Sequence, residues 1–285
     1  MASIQPSSPA TPPVAKVEPP RPFSRRVWDS DVFFSFRRSP VTIAAALVTL
    51  LLVGAAVLAP WIAPYDPFNP ASLNLMDGFT PPMSTSMAGN YFLLGSDHQG
   101  RDVLSTILYG SRVSLFVGLS ATLFAIVLGV ALGLTAGYRG GMTDSVIMRI
   151  ADIQLSFPAI LIALLIFGIA RGIIPPSRHE SMAIWVLIVA IGLSNWAQFA
   201  RTVRGATMVE RQKDYVSAAR IMGVHPLRIL VRHILPNVLG PVLVIGTIGL
   251  ALAIIEEATL SFLGVGVPPT QPSLGTLIRI GQGFL

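Results

Sequence analysis

Apolar residues in this chain are gathered into long blocks, with the polar residues set between them. Five blocks approach or reach the roughly 20 residues that a helix needs to cross about 30 Å of hydrocarbon. They are residues 41–63, 113–138, 153–170, 182–200 and 234–255. The third is short, and starting it near Asp144 would carry Arg149 and Asp152 one turn apart at a membrane surface, as a gating pair or a structural one. The pattern predicts an all-α, polytopic membrane helix bundle. In the second block Ala125, Gly129, Gly133 and Gly137 recur every four residues. Such a stripe permits close helix contact, either inside the chain or against another subunit.

The polar stretches differ from one another. The start, "SIQPSSPATPPVAKVEPPRP", is rich in Pro and Ser, and residues 1–40 read as a disordered tail. That tail is too long and too proline-rich for the basic region of a cleaved signal peptide, so 41–63 reads as a retained anchor helix. Residues 64–112 read as an external loop whose amphipathic run 103–109 would form an interfacial helix. Asp97, Arg101 and Asp102 precede that run, placed either to support it or to touch a docked protein. Residues 113–285 make the core. Beyond 255 the tail holds Pro268, Pro269, Pro272 and several glycines, which suits a re-entrant or surface segment better than a crossing helix. Glu256 and Glu257 then stand at the outer end of the fifth block, either solvated or functional.

Composition agrees with the blocks. The chain is 52% hydrophobic and 12% charged, far from the quarter charged that soluble domains carry, with mean hydropathy +0.67. It has no cysteine, which excludes disulfides and thiolate metal sites. Its four histidines are scattered without ligand spacing, so no metal site is read. Neither of its two lysines, Lys16 and Lys213, follows a Gly-rich loop, and no G-x-S-x-G is present. ATP hydrolysis through a P-loop and serine-nucleophile chemistry are therefore excluded, and no catalytic residue is assigned. The net charge of +6 is a topology signal and not a nucleic-acid footprint. With the N-terminus inside, inner segments hold fifteen Lys and Arg against five outside (Arg101, Arg112, Arg171, Arg178, Arg279).

One inner segment, 201–235, is organised beyond what a positive-inside loop requires. In "DYVSAARIMGVHPLRILVRHILPNV" Asp214 can cap a helix over 215–222, with Gly223 as its left-handed stop. Pro226 suits the first turn of a second helix, and Pro236 stands where the next block begins. Tyr215, Ala218, Ala219 and Met222 fall on one side of the first helix. Arg220, Arg228 and Arg232 are available for acidic groups or lipid phosphates. Two capped short helices in a basic loop predict a docking element.

The stretch "SAARIMGVHPLRILVRHILPN" closely resembles the E-A-A-x-x-x-G…I-x-L-P loop of permease subunits of ATP-binding-cassette (ABC) importers. Ala218, Ala219, Gly223, Leu235 and Pro236 match it. Ser217 replaces the leading Glu, and His233 stands at the expected Ile, with Ile234 beside it. Residues 94–119 ("LGSDHQGRDVLSTILYGSRVSLFVGL"), 137–158 ("GYRGGMTDSVIMRIADIQLSFP") and 256–278 ("EEATLSFLGVGVPPTQPSLGTLI") look like the C-type subunit of the dipeptide/oligopeptide/nickel permeases.

The resemblance implies a type I importer permease moving peptides in the bacterial inner membrane, with coupling helices that dock on an ATPase through Tyr215, Ser217, Ala218, Ala219, Met222, Gly223, Arg228, Arg232 and Pro236. It implies as partners a homologous B-type permease subunit, two ABC ATPases that carry the ATP and Mg, an external binding protein and lipid. No nucleic acid and no cofactor on this chain are expected. Family members have a sixth span, here missing or unclear. The rival readings are an ion-coupled secondary transporter, which calls for intramembrane carboxylates, and a non-transporting scaffold or decayed permease. Asn195 and Gln198, in the fourth block, either face a lumen or bond neighbouring helices, and the substrate-binding residues are unknown.

Overall fold

A computed structural model describes residues 31–69, 73–268, 270–271 and 273–284, the side chains of 31–33 excepted. The chain divides after Leu51 into two units. The first holds α1 (Asp31–Arg38) and most of α2 (Pro40–Val57), an apolar helix long enough to span. The tail expected over 1–40 lies outside the described residues up to 30, and 31–38 are helical, so that boundary is corrected.

The second unit takes the last six residues of α2 and the short helix α3 (Ala59–Ile62), followed by a loop containing a small antiparallel hairpin, β1 (Ser84–Thr85) with β2 (Tyr91–Phe92). Asp102 closes this loop and opens the next helix, its carboxylate accepting from Ser105 N at 2.8 Å. From that cap α4 (Val103–Arg139) runs unbroken for 37 residues. The run 103–109 is thus the first two turns of a spanning helix, where a separate interfacial helix was expected. No Pro or Gly stop interrupts the ladder before Gly140, whose φ of +68° ends it.

The third block is not one helix. α5 (Gly141–Leu155) and α6 (Ala159–Ile173) meet at 98° across Ser156, Phe157 and Pro158. Proline has no N–H to give and disfavours helical geometry in the residue before it, so the ladder breaks there. α7 (His179–Glu210) returns through the bundle. The insert follows as α8 (Asp214–Ile221) and α9 (Pro226–Ile229), and a π-helical turn over Leu230–Ile234 leads into α10 (Leu235–Phe262). Last comes α11 (Leu274–Gln282), nine residues and about 14 Å long, too short to cross. Among the described residues four helices are long and apolar enough to span, or five counting the bent pair.

The core is built on α4 and α7, and the glycine stripe is the reason they come so close. A Cβ on Gly129 would stand 2.7 Å from Trp196 O, one on Gly133 2.5 Å from Ala200 O, and one on Gly137 2.8 Å from Arg204 O. The stripe therefore packs on α7 of the same chain. α10 lies across both helices, with Gly118 facing Ile254 and Gly249 facing Phe199.

α5 is held to α7 by charge. Asp144 takes two bonds from the Arg204 guanidinium, at 2.5 and 2.6 Å, and Asp152 pairs with Arg201. The expected Arg149–Asp152 pair is corrected: Asp152 looks across to α7 and finds Arg201 there. Gln154 adds bonds to the carbonyls of Leu193 and Ser194, and accepts from Trp196 Nε1 at 2.7 Å.

Candidate functional site

α8 begins with Asp214 as its first helical residue, and Lys213 takes the cap position without a side-chain bond. This corrects the expected Asp214 cap. The C-terminal stop is as read, and it is complete. Gly223 N bonds Arg220 O at 3.0 Å and Val224 N bonds Ala219 O at 3.1 Å, with Gly223 at φ +73°. This is a Schellman motif, and Val224 packs into the same cluster as Ala219, the apolar contact that usually accompanies it. The His225 side chain then accepts from Leu227 N at 3.3 Å, and Pro226 opens α9.

Between α9 and α10 the ladder widens into the π turn. Pro236, in the first turn of α10, cannot donate, and the carbonyl of His233 accepts from the Asn237 side chain at 2.9 Å. His233 is half-buried and Ile234 is fully buried. An apolar side chain thus points inward one residue beyond the place where the family motif has its Ile.

The element has an inner and an outer face. Val216, Ala219, Ile229 and Ile234 are buried with Phe199 and Val238. Ala219 therefore packs against its own chain, where sequence spacing had put it beside Ala218 on a partner-facing side. Ser217, Ala218 and Met222 point out, as do Arg228, Arg232 and Pro236. Beside them Ile221 is 88% exposed, and Leu227 and Val231 are also exposed. These three were not singled out from the sequence. Their signal was a helical spacing on the opposite side of each short helix from Val216 and Ile229. An apolar patch rimmed by arginines, on a polar segment between spans, is a surface shaped for a protein partner.

Three anchors fix this element to the bundle. The Tyr215 hydroxyl donates to Glu210 at the end of α7 and accepts from Asn237 Nδ2 of α10 at 3.0 Å. Lys213 Nζ lies 2.7 Å from the other Glu210 oxygen. The Arg211 guanidinium donates to the carbonyls of Gly137 and Tyr138, both at 3.0 Å, at the end of α4. Arg220 lies over the Tyr138 ring at 4.9 Å, so it serves this contact and not an outside acid. Burial, and then the bond to Glu210, push the Tyr215 phenol up from 10; the same carboxylate pushes the Lys213 ammonium up from 10.5. Both donors keep their protons across the neutral range, and this contribution fades only as pH rises through those raised values.

Two carboxylates, Glu256 and Glu257, follow the fifth apolar block. α10 continues past 255 and carries both. Glu256 accepts from Asn195 Nδ2 at 2.8 Å, about 24 Å along α7 from His179. Asn195 therefore bonds a neighbouring helix. Glu257 is fully buried: Ser261 Oγ donates to one oxygen at 2.7 Å, and the other has no hydrogen-bond partner among the described residues. Ser261 Oγ also accepts from Val267 N at 3.2 Å, which ties the loop after α10 back to the helix.

The family described as binding-protein-dependent transport system inner membrane component matches residues 129–285. The N-terminal transmembrane domain of oligopeptide transport permease C matches residues 27–82. A dipeptide transport system permease protein of Haemophilus influenzae is 34% identical over 93% of this chain and 86% of its own length. A putative peptide transport system permease protein of Brucella suis is 40% identical over 87% of this chain and 77% of its own. An oligopeptide transport system permease protein of Bacillus subtilis is 32% identical over 90% and 78%.

Proposed function

The chain belongs to the binding-protein-dependent transport system inner membrane components, and from that membership we propose that it is the C-type permease subunit of an ATP-driven peptide importer. It lies in the bacterial cytoplasmic membrane with its N-terminus inside and shares the pathway with a homologous B-type subunit. Two ABC ATPases hold the ATP and Mg, and an external binding protein delivers the peptide. This chain is the non-catalytic part of that machine. Peptides are the named cargo of the relatives above, which supports the same class here.

The observation that carries the reading is the wiring of residues 211–237. An ATPase that moves the exposed Met222 and Leu227 moves α8 and α9. Tyr215, Arg211 and Asn237 pass that movement to the ends of α7, α4 and α10 together. Closure of the ATPases then pulls on these three spans at their inner ends, and the pathway changes the side to which it opens. Arg228 and Arg232 are placed to meet acidic groups on the ATPase at the rim.

Because the chain has no cysteine, a single one at Met222 can carry a short photocrosslinker in native membranes. Capture of an ABC ATPase is the expected result. Labelled chain recovered in good yield with no ATPase attached would overturn coupling through this face.

A further inference from the structure

We propose that Glu256, with Asn195, Gln198 and Thr122, forms a site inside the membrane for the ammonium group of the transported solute. The inference rests on the permease reading above. Its starting point is an unbalanced charge. Three other carboxylates on these helices have cationic partners: Asp144 with Arg204, Asp152 with Arg201 and Glu210 with Lys213. Glu256 has none among the described residues, and Asn195 is the only side chain that donates to it. It is half-buried, so one side of the carboxyl group is open. A carboxylate against hydrocarbon carries a large cost, so a cation brought to that open side would be held there.

A second observation lies at the same level. Thr122 of α4 is only 6% exposed, and its hydroxyl has no hydrogen-bond partner among the described residues. It lines one cleft with Asn195, Gln198 and Gly249. Gln198 Nε2 lies 3.9 Å from where a Cβ on Gly249 would stand, which places the carboxamide beside α10. Polar groups of α4 and α7 thus converge about halfway along their helices, and Glu256, in the last third of α10, reaches them through Asn195. The cleft is shut in this structure, too narrow to admit a water. Rocking of the three spans would part its walls. A passing peptide then finds a carboxylate for its α-ammonium, and amide and hydroxyl groups for its backbone. Glu257, one residue on, points into the core and takes no part.

The test uses the assembled importer in proteoliposomes, with its binding protein, ATP and trialanine. A cysteine at Gln198 reports on the site through its reaction with a cationic and an anionic thiosulfonate reagent. The ratio of the two rates is expected to fall about tenfold when Glu256→Gln is added. Gln at 256 still accepts from Asn195, so only the charge is removed. Trialanine uptake per assembled complex is expected to fall about tenfold in Glu256→Gln, and Glu256→Asp to restore most of it. A cysteine at 198 that neither reagent reaches, an unchanged rate ratio, or unchanged uptake in Glu256→Gln would each overturn the site. A complex with Glu256 intact that takes up no trialanine would instead overturn the peptide-importer reading beneath it.

Discussion

Tyr215 holds the docking element because one hydroxyl gives one hydrogen bond and takes another. It joins Glu210, at the end of α7, to Asn237, in the first turns of α10, with α8 between them. Tyr215→Phe keeps the ring beside His233 but takes the phenol's bond away from the Glu210 carboxylate, which retains Lys213. Losing two partly buried bonds costs about 1–2 kcal/mol locally, since each contributes about 1 kcal/mol net. Hydrogen exchange of the amides in 214–222 should therefore quicken about tenfold while the middle of α4 stays protected. Equal exchange in both proteins would mean that the inner apolar face alone holds the element. Glu257 asks a different question. Glu257→Gln keeps an acceptor for Ser261 and should preserve the loop after α10. Glu257→Ala opens a void and leaves Ser261 without its acceptor, so tryptic cutting at Arg279 should speed up. Identical digestion of the two variants would argue against the link through Ser261 to Val267.

Helices here are placed by what their glycines leave out. Gly133 is the sharpest case, since a methyl there would meet both the Ala200 carbonyl and the Val203 side chain. Backbone cannot yield as a flexible side chain does, and overpacking of this kind costs about 1–3 kcal/mol. Gly168 in α6 has nothing within 4 Å and serves as the control. Gly133→Ala should lower the melting temperature of the detergent-purified complex by several degrees, with Gly168→Ala unchanged. A Gly133→Ala complex that melts with the control would place the α4–α7 contact elsewhere. The four-residue spacing made this stripe legible, but spacing has no term for which helix lies opposite. Helix ends were harder to read. The break at Pro158 could have been taken from the proline alone, yet apolar content on both sides suggested one continuous span. At the other end of the chain, charge at 256 and 257 suggested a helix terminus. The helix runs on to Phe262, and each carboxylate takes one hydrogen bond there, from Asn195 and from Ser261.

At the scale of the molecule, hydropathy and the Gly223–Pro226 punctuation were enough to give a bundle with a folded insert, because both are local signals. The attachments of that insert are long-range and have no local signal. Nothing in the order of residues pairs Arg211 with a carbonyl seventy-odd positions earlier. Yet that contact decides whether the insert can move one span or three. Arg211 donates to Gly137 and Tyr138 O from one guanidinium, at the point where α4 ends and its last carbonyls lack helical partners. Arg211→Ala should free the end of α4 while leaving Tyr215, Glu210 and Asn237 to hold the insert on α7 and α10. The ATPases would still dock, since the outer face of α8 and α9 is untouched. Their stroke would then shift two spans against a third that lags, and the two halves of the pathway would no longer open together. Uptake per ATP hydrolysed should fall about tenfold in proteoliposomes, with the same quantity of ATPase co-purifying. Both bonds leave one nitrogen, Nη1, so Arg211→Lys, whose ammonium can also give two bonds from one atom, should restore part of the loss. Full transport efficiency in Arg211→Ala would show that α4 follows α7 through their glycine contact alone, and would move the whole of the coupling to that seam.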